Sequence, residues 1–149
     1  MISVERTTAT NNDFVSLIKL LDEAIKVRDG EEYYFHAQYN NLDYIHHVVV
    51  AYKNQVAVGC GAIKHFDDQT AEVKRMFVSP HCRGEGIATK ILNELELWAR
   101  ELNYKAAVLE TGVNYQEALA LYQKHGYKPI PRYGQYEQVL SSLCFKKEF

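Results

Sequence analysis

Met76-Phe77-Val78-Ser79-Pro80-His81-Cys82-Arg83-Gly84-Glu85-Gly86-Ile87-Ala88-Thr89 is the most informative stretch of this chain. An apolar segment ends at Val78, a loop containing Pro80 and two glycines follows, and a helical pattern begins at about Gly86. Helix N-termini carry backbone N–H groups without intrahelical acceptors and a partial positive charge. Gly84, Gly86 and Ala88 leave the backbone open to close approach, and Arg83 adds a cation at the same place. The combination predicts a loop that holds a phosphate or pyrophosphate. A Walker loop would end in Gly-Lys-Ser/Thr, which this loop lacks. The dinucleotide fingerprint needs three glycines and a following parallel strand closed by an acidic residue. Here the spacing is Arg-x-x-Gly-x-Ala, and the strand ahead of it belongs to an antiparallel meander. On the loop alone, the plainer alternative is a helix start that uses glycine only to turn.

Upstream of this loop, Tyr44–Tyr52, Val56–Phe66 and Ala71–Val78 are rich in β-branched and aromatic residues. Lys53-Asn54-Gln55 and Asp67-Asp68-Gln69 separate them, so three successive antiparallel strands are predicted. Gly59 and Gly61 inside the middle strand mark a bulge or a close approach. Ile2–Thr8 predicts a first strand. Phe14, Leu17, Ile18, Leu21 and Ile25 form one face of a helix capped by Asn11, Asn12 or Asp13 and closed at Asp29-Gly30. Residues 31–43 fit either a short helix or a loop.

Downstream, Ile87, Ile91, Leu95, Trp98 and Leu102 lie on one face of a helix running from about Gly86 to Leu102. Ala106–Glu110 predicts a strand, and Asn114–His125 a helix closed by Gly126. Two further strands are expected around Lys128–Ile130 and Ser141–Lys147. The strand–helix–strand unit at 71–110 predicts a right-handed crossover with its two strands parallel. The fold class is therefore α/β (α+β) with a mixed sheet. A chain of 149 residues, 47% hydrophobic and 24% charged, is expected to form a single domain, 1–149, with its own core.

Seventeen basic against nineteen acidic residues give a net charge of −2, which argues against a general nucleic-acid binder. No apolar run approaches the roughly 18 residues that span a bilayer, so no membrane partner is expected. The segment Met1–Arg6 lacks the pattern of a secretory signal. Cys60, Cys82 and Cys144 are too scattered for a disulfide framework. Together these features predict a cytoplasmic, reduced protein. His46 and His47 are adjacent on a strand and point to opposite faces, and there is neither a His-x-x-x-His nor a Cys-x-x-Cys pair; no metal is expected. Cys82 has no partnered base in the pattern and reads as a small loop residue.

The segment Met76–Ala88 resembles the Arg/Gln-x-x-Gly-x-Gly/Ala motif of the GNAT superfamily of acyl-coenzyme A N-acyltransferases. A second block resembles that family's strand, asparagine and Leu-Tyr-x-x-x-Gly-Phe/Tyr helix end. It is Leu109-Glu110-Thr111-Gly112-Val113-Asn114, then Ala118-Leu119-Ala120-Leu121-Tyr122-Gln123-Lys124-His125-Gly126-Tyr127. The resemblance covers nearly the whole chain. It is most specific over 71–127 and weakest over 31–43 and 131–140. It implies a mixed, mostly antiparallel sheet with a splayed parallel strand pair and flanking helices. The pantetheine arm of acetyl-coenzyme A would lie between the splayed strands. It implies cofactor contacts at Met76, Phe77 and Val78 on the strand. The loop and helix start, Arg83, Gly84, Glu85, Gly86, Ile87, Ala88 and Thr89, would hold the pyrophosphate, and Asn114 the pantetheine arm. Splayed strands leave N–H and C=O groups that a peptide-like pantetheine can satisfy.

The implied reaction is acetyl transfer from acetyl-coenzyme A to a primary amine of a small molecule, by direct attack in a ternary complex. Such an amine is mostly protonated at neutral pH, so a base must remove a proton. The departing thiolate benefits from an acid, and the oxyanion from a donor, for which a strand amide at Phe77 or Val78 is expected. Tyr122 matches the family's helix tyrosine and is the expected acid; its plainer reading is a half-buried core tyrosine. For the base, strand alternation puts Glu72, Lys74, Met76 and Val78 on one face. Glu72 ranks first and Glu110, at the end of the neighbouring strand, second; either also fits an ordinary strand-end charge. Tyr33 and Tyr34, with Arg132 in 131–138, are expected to wall the acceptor site, Arg132 pairing with a carboxylate or standing as a solvated loop charge. A homodimer is compatible with this reading. The alternatives are a non-catalytic acyl-coenzyme A sensor or protein-partner module, and a nucleotide-binding regulator. Tyr122 argues against the first, and Asn114 with Tyr122 against the second.

Overall fold

The computed structural model describes residues 1–29 and 44–149, so the segment 31–43, with Tyr33 and Tyr34, lies outside the described residues. In chain order the elements are β1 (Ile2–Thr7), α1 (Asn12–Asp29), β2 (His47–Lys53), β3 (Val56–Asp67), β4 (Thr70–Val78), α2 (Ile87–Glu101), β5 (Ala106–Gly112), α3 (Gln116–Lys124), β6 (Lys128–Ile130) and β7 (Ser142–Glu148). Short 3-10 turns occupy Pro80–Cys82 and Gly134–Tyr136. The strands hydrogen bond in the order β1-β2-β3-β4-β5-β7-β6. β4 and β5 are parallel, while β1/β2, β2/β3, β5/β7 and β6/β7 are antiparallel. This is the mixed, mostly antiparallel sheet that the sequence predicts. Among the described residues, no helix is long and apolar enough to cross a membrane.

The chain forms two compact units, residues 1–64 with 74–95 and residues 65–73 with 96–149. In the first, Asn11 caps α1: its Oδ1 accepts the Phe14 N–H at 3.0 Å. The apolar face of α1, Phe14, Leu17 and Ile18, packs with Val48 and Val50 of β2, Cys60 and Ala62 of β3, and Phe77 of β4. β2 and β3 are joined through Asn54 and Gln55, whose φ angles of 51° and 70° put both in the left-handed region, as a tight hairpin requires.

Gly59 and Gly61 mark a close approach. A Cβ on Gly59 would lie 2.9 Å from the Phe77 carbonyl oxygen and 3.0 Å from Ile91 Cδ1. A Cβ on Gly61 would lie 2.6 Å from Met76 Sδ and 2.9 Å from Ile91 and Leu95. These two glycines let α2 ride directly on β3. Met76 can swing its thioether aside, whereas the Phe77 carbonyl belongs to the strand backbone. Gly59→Ala is therefore expected to cost about 1–3 kcal/mol, the usual scale of overpacking, and Gly61→Ala less. Urea midpoints of the two variants check the order, and a Gly59→Ala midpoint equal to the parent's would contradict this packing.

Two expectations change here. Leu102 lies beyond the end of α2 and is exposed, and Trp98 is only half-buried. The buried stripe of the helix is instead Ile87, Ile91, Leu92, Leu95, Glu96 and Ala99. In β4, Arg75 has φ 60°, so a left-handed residue interrupts the alternation on which Glu72, Lys74, Met76 and Val78 were grouped. Phe77 points into the α1 core, whereas Met76 reaches the position of the missing Gly61 side chain.

In the second unit, β7 pairs along all of β5, from Ala106↔Glu148 to Gly112↔Ser142, and β6 pairs on its other side. The parallel ladder of β4 on β5 comprises Thr70↔Ala106, Ala71↔Ala107 and Glu72↔Val108. Glu96 of α2 is buried because it is doubly satisfied. Tyr127 donates its hydroxyl to Glu96 at 2.9 Å, and Lys147 of β7 its ammonium at 2.7 Å. Gly126 (φ 88°) closes α3 as expected.

Candidate active site

The loop after β4 is tied down at its start. Ser79 N–H donates to the Val58 carbonyl at 2.8 Å, and Cys82 N–H to Ser79 O at 2.9 Å. Cys82 is buried in the 3-10 turn, in keeping with a packing residue. Arg83 folds back onto the strand: its Nε donates to Val78 O at 3.0 Å. Its backbone N–H is turned toward Pro80 O at 3.4 Å. The amides open to an anion therefore begin one residue later than the sequence reading placed them.

Gly84 and Gly86 have φ angles of 83° and 80°, a region that glycine enters without strain. A Cβ on either would meet nothing within 4 Å, so both glycines border open space. The first hydrogen bond of α2 runs from Lys90 N–H to Gly86 O at 3.1 Å. The amides of Ile87 and Ala88 precede it without an intrahelical acceptor. Lys53, at the end of β2, reaches this loop and pairs with Glu85 at 2.5 Å. The hydrogen bond and charge of Glu85 raise the Lys53 pKa, keeping it cationic. Sequence reasoning missed Lys53, because only the hairpin register brings it here. The site so formed combines open amides, the positive end of a helix and two flanking cations, a constellation suited to a phosphate or pyrophosphate.

A second group of expected residues meets inside the second unit. Residues paired across strands share a face, as do positions two apart on one strand. The pairs Glu72↔Val108, Glu110↔Cys144 and Gly112↔Ser142 thus put Glu72, Glu110, Cys144 and Ser142 on one face. Each carboxylate accepts a hydroxyl. Tyr133 donates to Glu72 Oε2 at 2.7 Å, and Ser142 donates to Glu110 Oε2 at 2.6 Å. Glu72 is only 6% exposed. The Tyr133 ring meets Phe66 edge-on at 5.0 Å and Tyr136 at 5.7 Å. Burial, then the Glu110 and Glu72 charges, push the Tyr136 hydroxyl above the ordinary tyrosine range.

Tyr122 lies near Glu110. It is 5% exposed and meets Tyr127 edge-on at 5.7 Å. Burial first, and the Glu110 charge second, hold its phenol protonated well above the usual tyrosine range. Asn114 stands exposed in the turn ahead of α3. Arg132 is half-buried and donates its Nε to Glu137 O at 3.2 Å. It lines a cleft of about 620 Å³ with Leu119, Gln123, Ile130, Leu143 and Phe145. Among the described residues, no three metal-ligating side chains cluster.

These buried hydroxyls and thiols make stability sensitive to alkali. Burial, then a 2.7 Å hydrogen bond to Asp13, pushes the Tyr52 phenol up to about 12 from 10.0. Burial pushes the Cys60 thiol up to about 12 from 9.0. Tyr122, Tyr127, Tyr133 and Tyr136 are raised as well. The folded chain therefore holds protons that the unfolded chain releases. The resulting stability is fully present below about pH 9 and is lost as pH rises through about 12. Urea midpoints measured against pH are expected to fall across this window, with tyrosinate absorbance appearing on unfolding. A midpoint unchanged from neutral to strongly alkaline pH would count against it.

The acetyltransferase (GNAT) family model matches residues 14–127, and the chain belongs to that family. An IAA acetyltransferase of Azospirillum brasilense is 39% identical over 100 residues, which are 66% of this chain and 65% of that protein. The chain thus spans just under two thirds of the length of that relative. The same holds for an uncharacterised N-acetyltransferase of Bacillus subtilis, of which 66% is covered. A solved structure from Klebsiella pneumoniae, a candidate acyl-CoA N-acyltransferase, superposes with a TM-score of 0.83. It is 28% identical, with 99% of this chain and 97% of that one covered. A GNAT acetyltransferase of Elizabethkingia anophelis with acetyl-CoA bound shares the fold. Its TM-score is 0.75 at 23% identity, over 99% of this chain and 98% of that one.

Proposed function

We propose that the protein is an acetyl-coenzyme A-dependent N-acetyltransferase, with residues 1–149 acting as one catalytic domain. It transfers an acetyl group to a primary amine of a small molecule by direct attack. The observation that carries this reading is the loop after β4, where Gly84 and Gly86 both take left-handed angles and both border open space ahead of the α2 amides. A pyrophosphate is a fitting occupant of such a loop, and the family's activity names the molecule that carries it.

In this reading the amides of Gly84, Glu85, Gly86, Ile87, Ala88 and Thr89 bind the pyrophosphate, with Arg83 and Lys53 supplying charge. The backbone of Met76–Val78 and the Asn114 side chain hold the pantetheine arm. A strand amide at Phe77 or Val78 donates to the developing oxyanion. Glu72 takes a proton from the ammonium form of the acceptor through a water, with Glu110 as the second candidate. The nitrogen lone pair attacks the thioester carbon, the carbon–sulfur bond breaks, Tyr122 gives its proton to the departing sulfur, and the extra proton on the nitrogen returns through water to the Tyr122 oxygen. Arg132 and the cleft it lines receive the acceptor's body, and an acceptor carboxylate pairs with the guanidinium. The name of the Azospirillum relative brings IAA into the set of compounds to be tried.

The test is a panel of small amines incubated with acetyl-coenzyme A, reading released thiol, alongside calorimetry of acetyl-coenzyme A and ATP. Thiol release with at least one amine and a clear preference for acetyl-coenzyme A are expected. Tighter binding of ATP would replace this reading with a nucleotide-binding one.

A further inference from the structure

We infer that Tyr133 is a positioning residue for Glu72, an inference that rests on the reading of Glu72 as the base. A phenol-to-carboxylate bond of 2.7 Å lies among the short, charge-assisted hydrogen bonds. It joins two groups from distant parts of the chain, β4 and the segment between β6 and β7. A glutamate has three rotatable side-chain bonds, and an unanchored one would sample several orientations. Tyr133 restricts that freedom at Oε2, and it is itself held from several sides. Phe66 and Tyr136 meet its ring edge-on. Its carbonyl accepts the Tyr136 N–H at 2.9 Å at the start of the 3-10 turn. Burial and the Glu72 charge push the phenol well above the ordinary tyrosine range, so at neutral pH it is protonated and can donate.

The consequence concerns proton transfer, which depends steeply on placement. A displacement of about 1 Å at a reacting group can cost about 100-fold. Tyr133 also precedes the 3-10 turn and follows Arg132, so one short segment carries both the anchor of the base and the cation of the cleft. The amine of an acceptor seated against Arg132 would be aligned by the same segment that aligns the carboxylate.

The test is a cycle of Tyr133→Phe, Glu72→Gln and the double variant, with kcat, both KM values and melting temperature measured for each. Tyr133→Phe keeps the ring contacts and removes the donor. It is expected to lower kcat about 10–100-fold, with the KM for acetyl-coenzyme A unchanged and the melting temperature nearly so. In the Glu72→Gln background it is expected to lower kcat no further. A parental kcat in Tyr133→Phe overturns the inference, as does an equal loss in both backgrounds, which would mean that Tyr133 acts elsewhere. A drop in melting temperature accompanied by equal changes in kcat and KM would show a structural role and also overturn it. If Glu72→Gln itself turns over at the parental rate, the base reading falls and the positioning role falls with it. A slow Glu72→Gln beside a normal Tyr133→Phe removes Tyr133 alone.

Discussion

Changing Tyr122 to Phe is expected to lower the rate of acetyl transfer about 10²–10⁴-fold, the scale of a positioned acid, and to leave acetyl-coenzyme A bound. The substitution keeps the ring, its edge contact with Tyr127 and its buried place on α3. Only the proton is lost. Burial and the Glu110 charge disfavour the phenolate, so the phenol is protonated at neutral pH, as an acid in this role needs. Stopped-flow thiol release and calorimetric affinity, measured together, check the result. Parental turnover in a folded Tyr122→Phe would mean that the thiolate leaves unaided and that the tyrosine serves packing.

Gly86→Glu is expected to weaken acetyl-coenzyme A binding about 100-fold or more while the protein stays folded. A Cβ at Gly86 meets no neighbour, so crowding is not the cause. The φ of 80° is strained for any other residue, and relaxing it turns the amides ahead of α2 away from a common point. The new carboxylate also repels a pyrophosphate. Loss of two charge-assisted hydrogen bonds, about 1.5–3 kcal/mol each, corresponds to that factor or more. Calorimetry with acetyl-coenzyme A reads the change directly. Unaltered affinity in a variant with a parental melting profile would remove the pyrophosphate from this loop.

The parts of the structure that the sequence announces are those governed by neighbouring residues. The Asn11 cap, the apolar face of α1 and the left-handed Gly84, Gly86 and Gly126 all follow from a few adjacent side chains and their backbone preferences. The loop after β4 was readable for the same reason. What depends on distant pairing was not. No local pattern says that β7 enters between β5 and β6, because strand residues carry the same chemistry whichever neighbour they find. Arg75 adopts a glycine-like angle without being glycine, so the break in β4 had no marker. Nothing near Glu96 in the sequence marks its partners, since Tyr127 and Lys147 lie 31 and 51 residues further on. The candidate carboxylates were chosen from strand positions, but their hydroxyl partners were not. Tyr133 fell only within the 131–138 segment expected to wall the acceptor site, and Ser142 only within the strand expected around Ser141–Lys147.

The place of β7 also bears on how the chain is made. β5 is finished by residue 112, and β6 by residue 130, but the strand that joins them runs from residue 142 to 148. While the ribosome adds the residues between, β5 offers a bare hydrogen-bonding edge that is apolar over Ala106–Leu109. Lys147, the ammonium partner of the buried Glu96, arrives with the same strand. The second unit therefore cannot close its sheet or neutralise its interior carboxylate until β7 emerges, and both events happen together. Pairing of β7 on β5 and charge compensation of Glu96 thereby become one coupled event in the assembly of that unit.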